Sequence, residues 1–441
     1  MGKSVRVTGP LGSRGTLASN PRPAEGTGTP PLPPVVLFLP GLSALPFNTS
    51  VRIADIICAD LTRGPGTYEV RSLDSPGPGQ SLTDGRRIVA GDDQPLMDLY
   101  TVAYRDCLPK AAATEGKAGV WTLVRLVITQ LLYFLQALLL LVDARKRAKS
   151  RKSRWQLVLG SGFVAVLLGA VAVTIVAILA ALGVVTPAKV NGTFADAFAI
   201  GATGVTTWLL AKATPRIRDV SSRVQQMMMY AQSQQQSVQV TNCLGAAIDA
   251  VLEPAGTTRP VFILGYSMGS LVAIDYLCPR ASQLDPLDDP RVTAIRGLIT
   301  IGCPLDFVRL YLPQYTKNRQ LRVPELPWTN IFIAADVMGS NMCDEGDDYV
   351  PEPHQLVGIT GVRVDPDKPD AGEPDAVKPT KTIQFTDEKL SWSSIVAPRG
   401  FLSHGSYWSV PGAGNCLNVV LSAVRADGAA HADQVGGAGP R

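Results

Sequence analysis

Short apolar runs, amphipathic stretches and longer apolar segments alternate along this 441-residue chain. Their lengths and periods sort them into elements. Val35, Val36, Leu37, Phe38 and Leu39 form an unbroken run that predicts a buried parallel strand, ended by Pro40-Gly41-Leu42. Residues 48–62 place Val51, Ile53, Ala54, Ile56, Ile57 and Leu61 at helical spacing. Residues 68–73 and 98–104 predict strands, and the Gly-, Pro- and Asp-rich residues 74–93 between them predict a loop. Residues 220–252 predict one long helix with glutamines on its polar face. Strands follow at 261–264, 295–301, 330–335 and 381–385, with helices at 270–278 and 414–426 and a polar loop at 285–291. Strands alternating with helices predict an α/β fold, a mostly parallel sheet flanked by helices.

Residues 112–220 interrupt that alternation with three apolar segments. The second, 157–185, carries no charge and is long enough to span a bilayer. It also sets Ser161, Ala165 and Gly169 in a row where another helix packs closely. The first, 120–142, is amphipathic: Thr122, Arg125, Thr129, Gln136 and Asp143 share one stripe. The third, 197–211, is short and contains glycine. The chain therefore reads as a low-complexity segment (1–34), a first α/β half (35–111), a membrane-associated helical insertion (112–220), a second α/β half (221–426) and a Gly/Ala-rich tail (427–441).

If both halves share one sheet, the insertion crosses an even number of times. Basic residues flank segment two (Arg145, Lys146, Arg147, Lys149, Arg151, Lys152, Arg154) and segment three (Lys212, Arg216, Arg218, Arg223). The positive-inside rule then favours segments two and three as the hairpin, segment one along the inner surface, and the α/β halves on the cytoplasmic side. The competing arrangement pairs segments one and two and puts the α/β halves outside. Residues 1–34 lack the apolar core of a secretory signal, which agrees with the first arrangement.

Composition narrows the partners. The net charge of +4 gives no reason to expect nucleic acid. The seven cysteines are scattered, odd in number and without C-x-x-C spacing. That pattern argues against a disulfide framework or a zinc site and for a reducing compartment.

The candidate chemistry lies at residues 260–271. The strand Val261, Phe262, Ile263, Leu264 runs directly into Gly265-Tyr266-Ser267-Met268-Gly269 and then a helix. This is G-x-S-x-G in the strand–turn–helix setting that lifts a serine hydroxyl above a sheet edge. On these residues, together with 35–42, 298–304, 328–341 and 403–408, the chain resembles the α/β-hydrolase family, and more loosely its bacterial membrane-associated esterases and lipases. The resemblance skips residues 1–34 and the insertion. It implies that Ser267 is the nucleophile and that backbone N–H groups of Leu42 (or Gly41) and Met268 form an oxyanion hole. It also implies the chain order Ser, Asp, His. Of three histidines, His404 follows the serine and the candidate acids, whereas His354 and His431 sit in polar or low-complexity stretches. Asp336, after the 330–335 strand, is the preferred acid and Asp306 the alternative. Asp344, Asp347 and Asp348 read as solvated loop charges.

The expectation is a membrane-anchored serine hydrolase acting on a lipid-like or other small ester through a Ser267–His404–Asp336 triad. No cofactor and no metal are called for. Two other readings share these residues: a non-catalytic membrane interaction module on the same fold, and an acyltransferase.

Overall fold

The computed structural model describes residues 32–42, 50–62, 66–74, 81–108, 226–252, 259–280, 289–323, 326–333, 336, 338–344, 352–353, 359–360, 380–384, 404, 406–408, 416–417 and 420–425, together with Leu157. The chain divides into two units. Met1–Leu108, Ser237–Asp306 and Thr316–Arg441 make the first, and Pro109–Gln236 with Phe307–Tyr315 make the second.

The first unit is built on an eight-stranded sheet. Its strands are β1 (Val35–Leu39), β2 (Tyr68–Ser72), β3 (Leu82–Ala90), β4 (Pro95–Val102), β5 (Val261–Tyr266), β6 (Ile295–Ile301), β7 (Trp328–Phe332) and β8 (Lys381–Gln384). Their order across the sheet is β8-β7-β6-β5-β1-β4-β3-β2. The six strands from β8 to β4 are parallel, and β3 and β2 add an antiparallel edge. All five residues of β1 are fully buried, as a central strand covered on both faces requires.

Helix α1 (Ser50–Leu61) lays Ile53, Ala54, Ile57 and Leu61 on a core that also holds Val36, Phe38, Leu99, Phe262 and Leu264. Arg52 and Asp55, on its other face, are exposed. Leu417, Val420, Leu421 and Val424 close the same core; the described part of the expected 414–426 helix is helical at 417 and 420–425. Helix α2 (Gln234–Leu252) leads toward β5, and α3 (Met268–Leu277) packs on β5 and β1.

Several elements depart from the sequence reading, the expected strand at 98–104 among them, which runs over Pro95–Val102 as β4. The expected loop at 74–93 contains β3. Its alternation is broken at Asp84-Gly85, where the register slips between Thr83 and Arg86 and Asp84 takes φ 55°. A bulge erases the two-residue period, and pairing on both sides supplies what the pattern withholds. The long helix expected at 220–252 breaks at Ser233, whose hydroxyl accepts from the Gln236 N–H at 3.3 Å as the cap of a new helix. The loop at 285–291 runs into a short helix, α4 (Pro290–Ala294), which Asp289 caps by accepting from the Arg291 N–H at 2.9 Å. Finally, β7 starts and ends earlier than the expected 330–335, so Asp336 lies in a turn beyond its end.

Cys107 and Cys243 form a disulfide 136 residues apart in sequence, one in the 3-10 turn after β4 and one on α2. Their spacing gave no hint of it, because folding alone brings the two elements together. Cys58, Cys278, Cys303 and Cys416 are free, and the last three are buried. The expected apolar segments at 120–142, 157–185 and 197–211 lie outside the described residues apart from Leu157. Among the described residues no helix is long and apolar enough to cross a membrane.

The sheet is pinned at the strand ends where β1 and β5 begin. Asp98, fully buried and in register with Val35, accepts from Arg87 at 2.7 and 2.9 Å and from the Arg259 guanidinium. Arg259 Nε also donates to the Pro33 carbonyl at 2.6 Å. A buried carboxylate is tolerated here because two guanidiniums match its charge and geometry.

Candidate active site

Strands β1 and β5 are neighbours, yet the chain leaves β1 toward one edge of the sheet and continues from β5 toward the other. Such a reversal opens a crevice at the carboxyl ends of the strands. Ser267 stands there, between β5 and α3, with φ 53° and ψ −121°. For a residue other than glycine this backbone is strained by about 1–3 kcal/mol. The turn is held by the Ser267 N–H donating to the Ile301 carbonyl and the Ser270 N–H donating to the Ser267 carbonyl, both at 2.9 Å. Its glycines are required sterically. A Cβ on Gly265 would lie 2.6 Å from Ser270 Cα, and one on Gly269 would lie 2.0 Å from the Leu39 carbonyl oxygen.

The three residues expected to act together meet. His404 Nε2 is 2.7 Å from Ser267 Oγ, and His404 Nδ1 is 2.8 Å from Asp336 Oδ2. Asp336 is fully buried and the His404 side chain is 19% exposed, so the acid is dry while the imidazole and Ser267 remain reachable. A carboxylate can only accept, so Nδ1 carries the proton and Nε2 is left to accept from the serine hydroxyl. Asp336 Oδ1 takes the Met338 N–H at 2.9 Å, and Oδ2 also takes the Tyr407 hydroxyl at 2.7 Å. Three donors thus satisfy one buried charge. The arrangement can draw a proton from Ser267 and hold the resulting imidazolium against a fixed counter-charge.

The expected oxyanion donors sit beside the serine. Gly41 follows β1 closely enough that a Cβ there would be 3.0 Å from Ser267 Cβ. Leu42 is next in the chain and half-buried. Met268 is the first residue of α3, where main-chain N–H groups have no partner within the helix and the helix dipole is positive.

Asp306 has a different place. It opens helix α5 (Leu305–Tyr311). Its N–H donates to Ser340 Oγ at 2.6 Å and its Oδ2 accepts from the Met342 N–H at 3.4 Å. Asp306 therefore anchors the loop after Asp336, while Asp336 takes the histidine. His354, His431, Asp347 and Asp348 lie outside the described residues, as does the side chain of Asp344. Among the described residues no three metal-ligating side chains cluster. Burial pushes the Cys278 thiol up to about 12 and raises those of Cys303 and Cys416 as well, so none of the three is an available thiolate.

Sequence reasoning passed over three aromatic residues. Tyr266 stacks on His404 with ring centroids 5.5 Å apart and donates its hydroxyl to the His404 carbonyl. Tyr407 holds Asp336, and Trp408 packs edge-on against Tyr266 and Phe38. The available signal was the aromatic pair three and four residues after His404, facing the aromatic just before Ser267. No family model, no curated protein and no solved structure matches this chain.

Proposed function

We propose that this chain is a serine hydrolase of the α/β-hydrolase type, anchored at a membrane, that cleaves a carboxylic ester through an acyl-enzyme. The observation that carries the reading is the unbroken chain of hydrogen bonds from Ser267 through His404 to Asp336. Support comes also from the strand reversal at β1 and β5, the strained serine turn and the two glycines it requires.

In this reading Ser267 Oγ attacks the ester carbonyl while His404 Nε2 takes its proton. The carbonyl oxygen becomes negative and is met by the N–H groups of Met268 and of Leu42 or Gly41. The C–O bond to the alcohol then breaks, and His404 returns the proton to the departing oxygen. Water, deprotonated by His404, attacks the acyl carbon and releases the acid and Ser267. Asp336 stays ionised throughout and holds His404 in the tautomer that accepts from serine. A lipid-like or other apolar acyl substrate and a bilayer partner are proposed from the apolar segments of 112–220.

The test is a fluorophosphonate probe with turnover of short- and long-chain p-nitrophenyl esters. Wild-type protein should label once, at Ser267, and hydrolyse at least one ester, whereas Ser267→Ala should do neither. Labelling or turnover that persists in Ser267→Ala would overturn the proposal.

A further inference from the structure

We propose that Tyr407 is a positioning residue of this relay, fixing Asp336 from the side opposite the solvent and setting the acid limb of the pH profile. The inference rests on the hydrolase reading above. The direction of its hydrogen bonds is forced. Tyr407 Oη accepts from the Ile333 N–H at 3.0 Å, so its own proton goes to Asp336 Oδ2 at 2.7 Å. That is the same oxygen that receives His404 Nδ1–H at 2.8 Å. The side chain is fully buried, and burial, followed by the adjacent Asp336 carboxylate, holds the phenol well above its ordinary value. It is therefore a permanent donor across any working pH.

The surroundings are cut to fit this contact. A Cβ on Gly302 would lie 2.8 Å from the Tyr407 ring. One on Gly339 would lie 2.9 Å from the Tyr407 hydroxyl and 2.5 Å from Asp336 Oδ2. Tyr407 belongs to the 3-10 turn Ser406–Trp408, just after His404, so one short segment supplies both donors to Oδ2. Through Ile333 the same hydroxyl ties Asp336 to the end of β7. Among the described residues, the titratable groups that face this cluster are Tyr266 from the end of β5, His404 and Tyr407 from their own segment, and Asp336 from the turn after β7.

Two consequences follow from removing only the hydroxyl. Asp336 loses one of its anchors, so His404 is held less firmly. The charge on Oδ2 is no longer shared with a phenol, so the imidazolium is favoured more strongly. Tyr407→Phe should lower kcat about tenfold to thirtyfold with KM within about twofold, the loss expected of one hydrogen bond to a charged group. Its acid limb should move up by about half a pH unit or more. 3-Fluorotyrosine at position 407, a stronger donor of nearly the same size, should move the acid limb down.

The experiment measures kcat, KM and the kcat/KM–pH profile of wild type, Tyr407→Phe and the fluorotyrosine protein, with melting curves to certify folding and Ser267→Ala as control. Opposite shifts in the two substituted proteins support the proposal. A purely structural tyrosine would change the melting temperature and leave kcat and the profile of the folded protein as in wild type; that result overturns it. If Tyr407→Phe does not fold, the fluorotyrosine protein decides, and an unmoved acid limb overturns it. Turnover surviving in Ser267→Ala instead removes the hydrolase reading, so the two failures are distinct.

Discussion

Replacing Asp336 by asparagine changes one atom in the relay and puts a donor where an acceptor is needed. Oδ1 can still take the Met338 N–H, but the other position now meets two donors, His404 Nδ1–H and the Tyr407 hydroxyl. The imidazole escapes this conflict by moving its proton to Nε2, which then no longer accepts from Ser267. The serine loses its base. A loss of this kind lowers kcat by about 10⁴-fold, or about 5.5 kcal/mol of barrier, the magnitude known for the same change in the serine protease triad. The buried phenol is also left facing a donor, which costs about 1–3 kcal/mol of stability. Asp306→Asn is the matched control, because that carboxylate holds the Met342 N–H instead. The assay is ester turnover alongside fluorophosphonate labelling rate, with urea denaturation to separate folding from chemistry. Asp336→Asn within tenfold of wild type, or Asp306→Asn as damaging as Asp336→Asn, would refute the assignment of the acid.

Gly269→Ala should cost well over about 3 kcal/mol, since its Cβ would press on the Leu39 backbone, which cannot swing away as a side chain does. Gly245→Ala, mid-helix on α2 with its nearest new contact at 3.5 Å, should instead stabilise by about 0.5–1 kcal/mol; urea midpoints check both. Arg259→Ala should lower stability by about 3–5 kcal/mol by leaving Asp98 with Arg87 alone, while kcat of the folded protein stays within about twofold, because Asp98 registers with the first residue of β1 and the serine turn follows the far end of β5. Denaturing, non-reducing alkylation of protein taken directly from cells should return Cys107 and Cys243 as one linked peptide pair, and reduction should lower stability by up to about 4–5 kcal/mol. Disulfides persist in oxidising compartments and are rare in the cytosol, so recovery of a linked pair from cells would count against the expected cytoplasmic placement and recovery of both residues as free thiols would count for it.

Local pattern carried the sheet's centre and the serine turn. A continuous apolar run such as 35–39 has nowhere to go but the middle of a parallel sheet, and Gly265-Tyr266-Ser267-Met268-Gly269 between such a run and a helix leaves the chain one way to turn. Those features are written in neighbouring residues, so they can be read without knowing the fold. The triad of distant residues was expected only through the α/β-hydrolase resemblance, and other meetings of distant residues were invisible. The β3 strand is hidden by its bulge, the Cys107–Cys243 pair has no spacing rule, and Asp306 stays an alternative to the preferred Asp336 until the turn after β7 gives Asp336 the histidine and Asp306 the loop. Tyr407 was passed over for the same reason. A side chain's role as donor or filler is fixed by what stands opposite it, and here that partner arrives from a turn about seventy residues earlier (71 for Asp336, 74 for Ile333), delivered by tertiary packing alone.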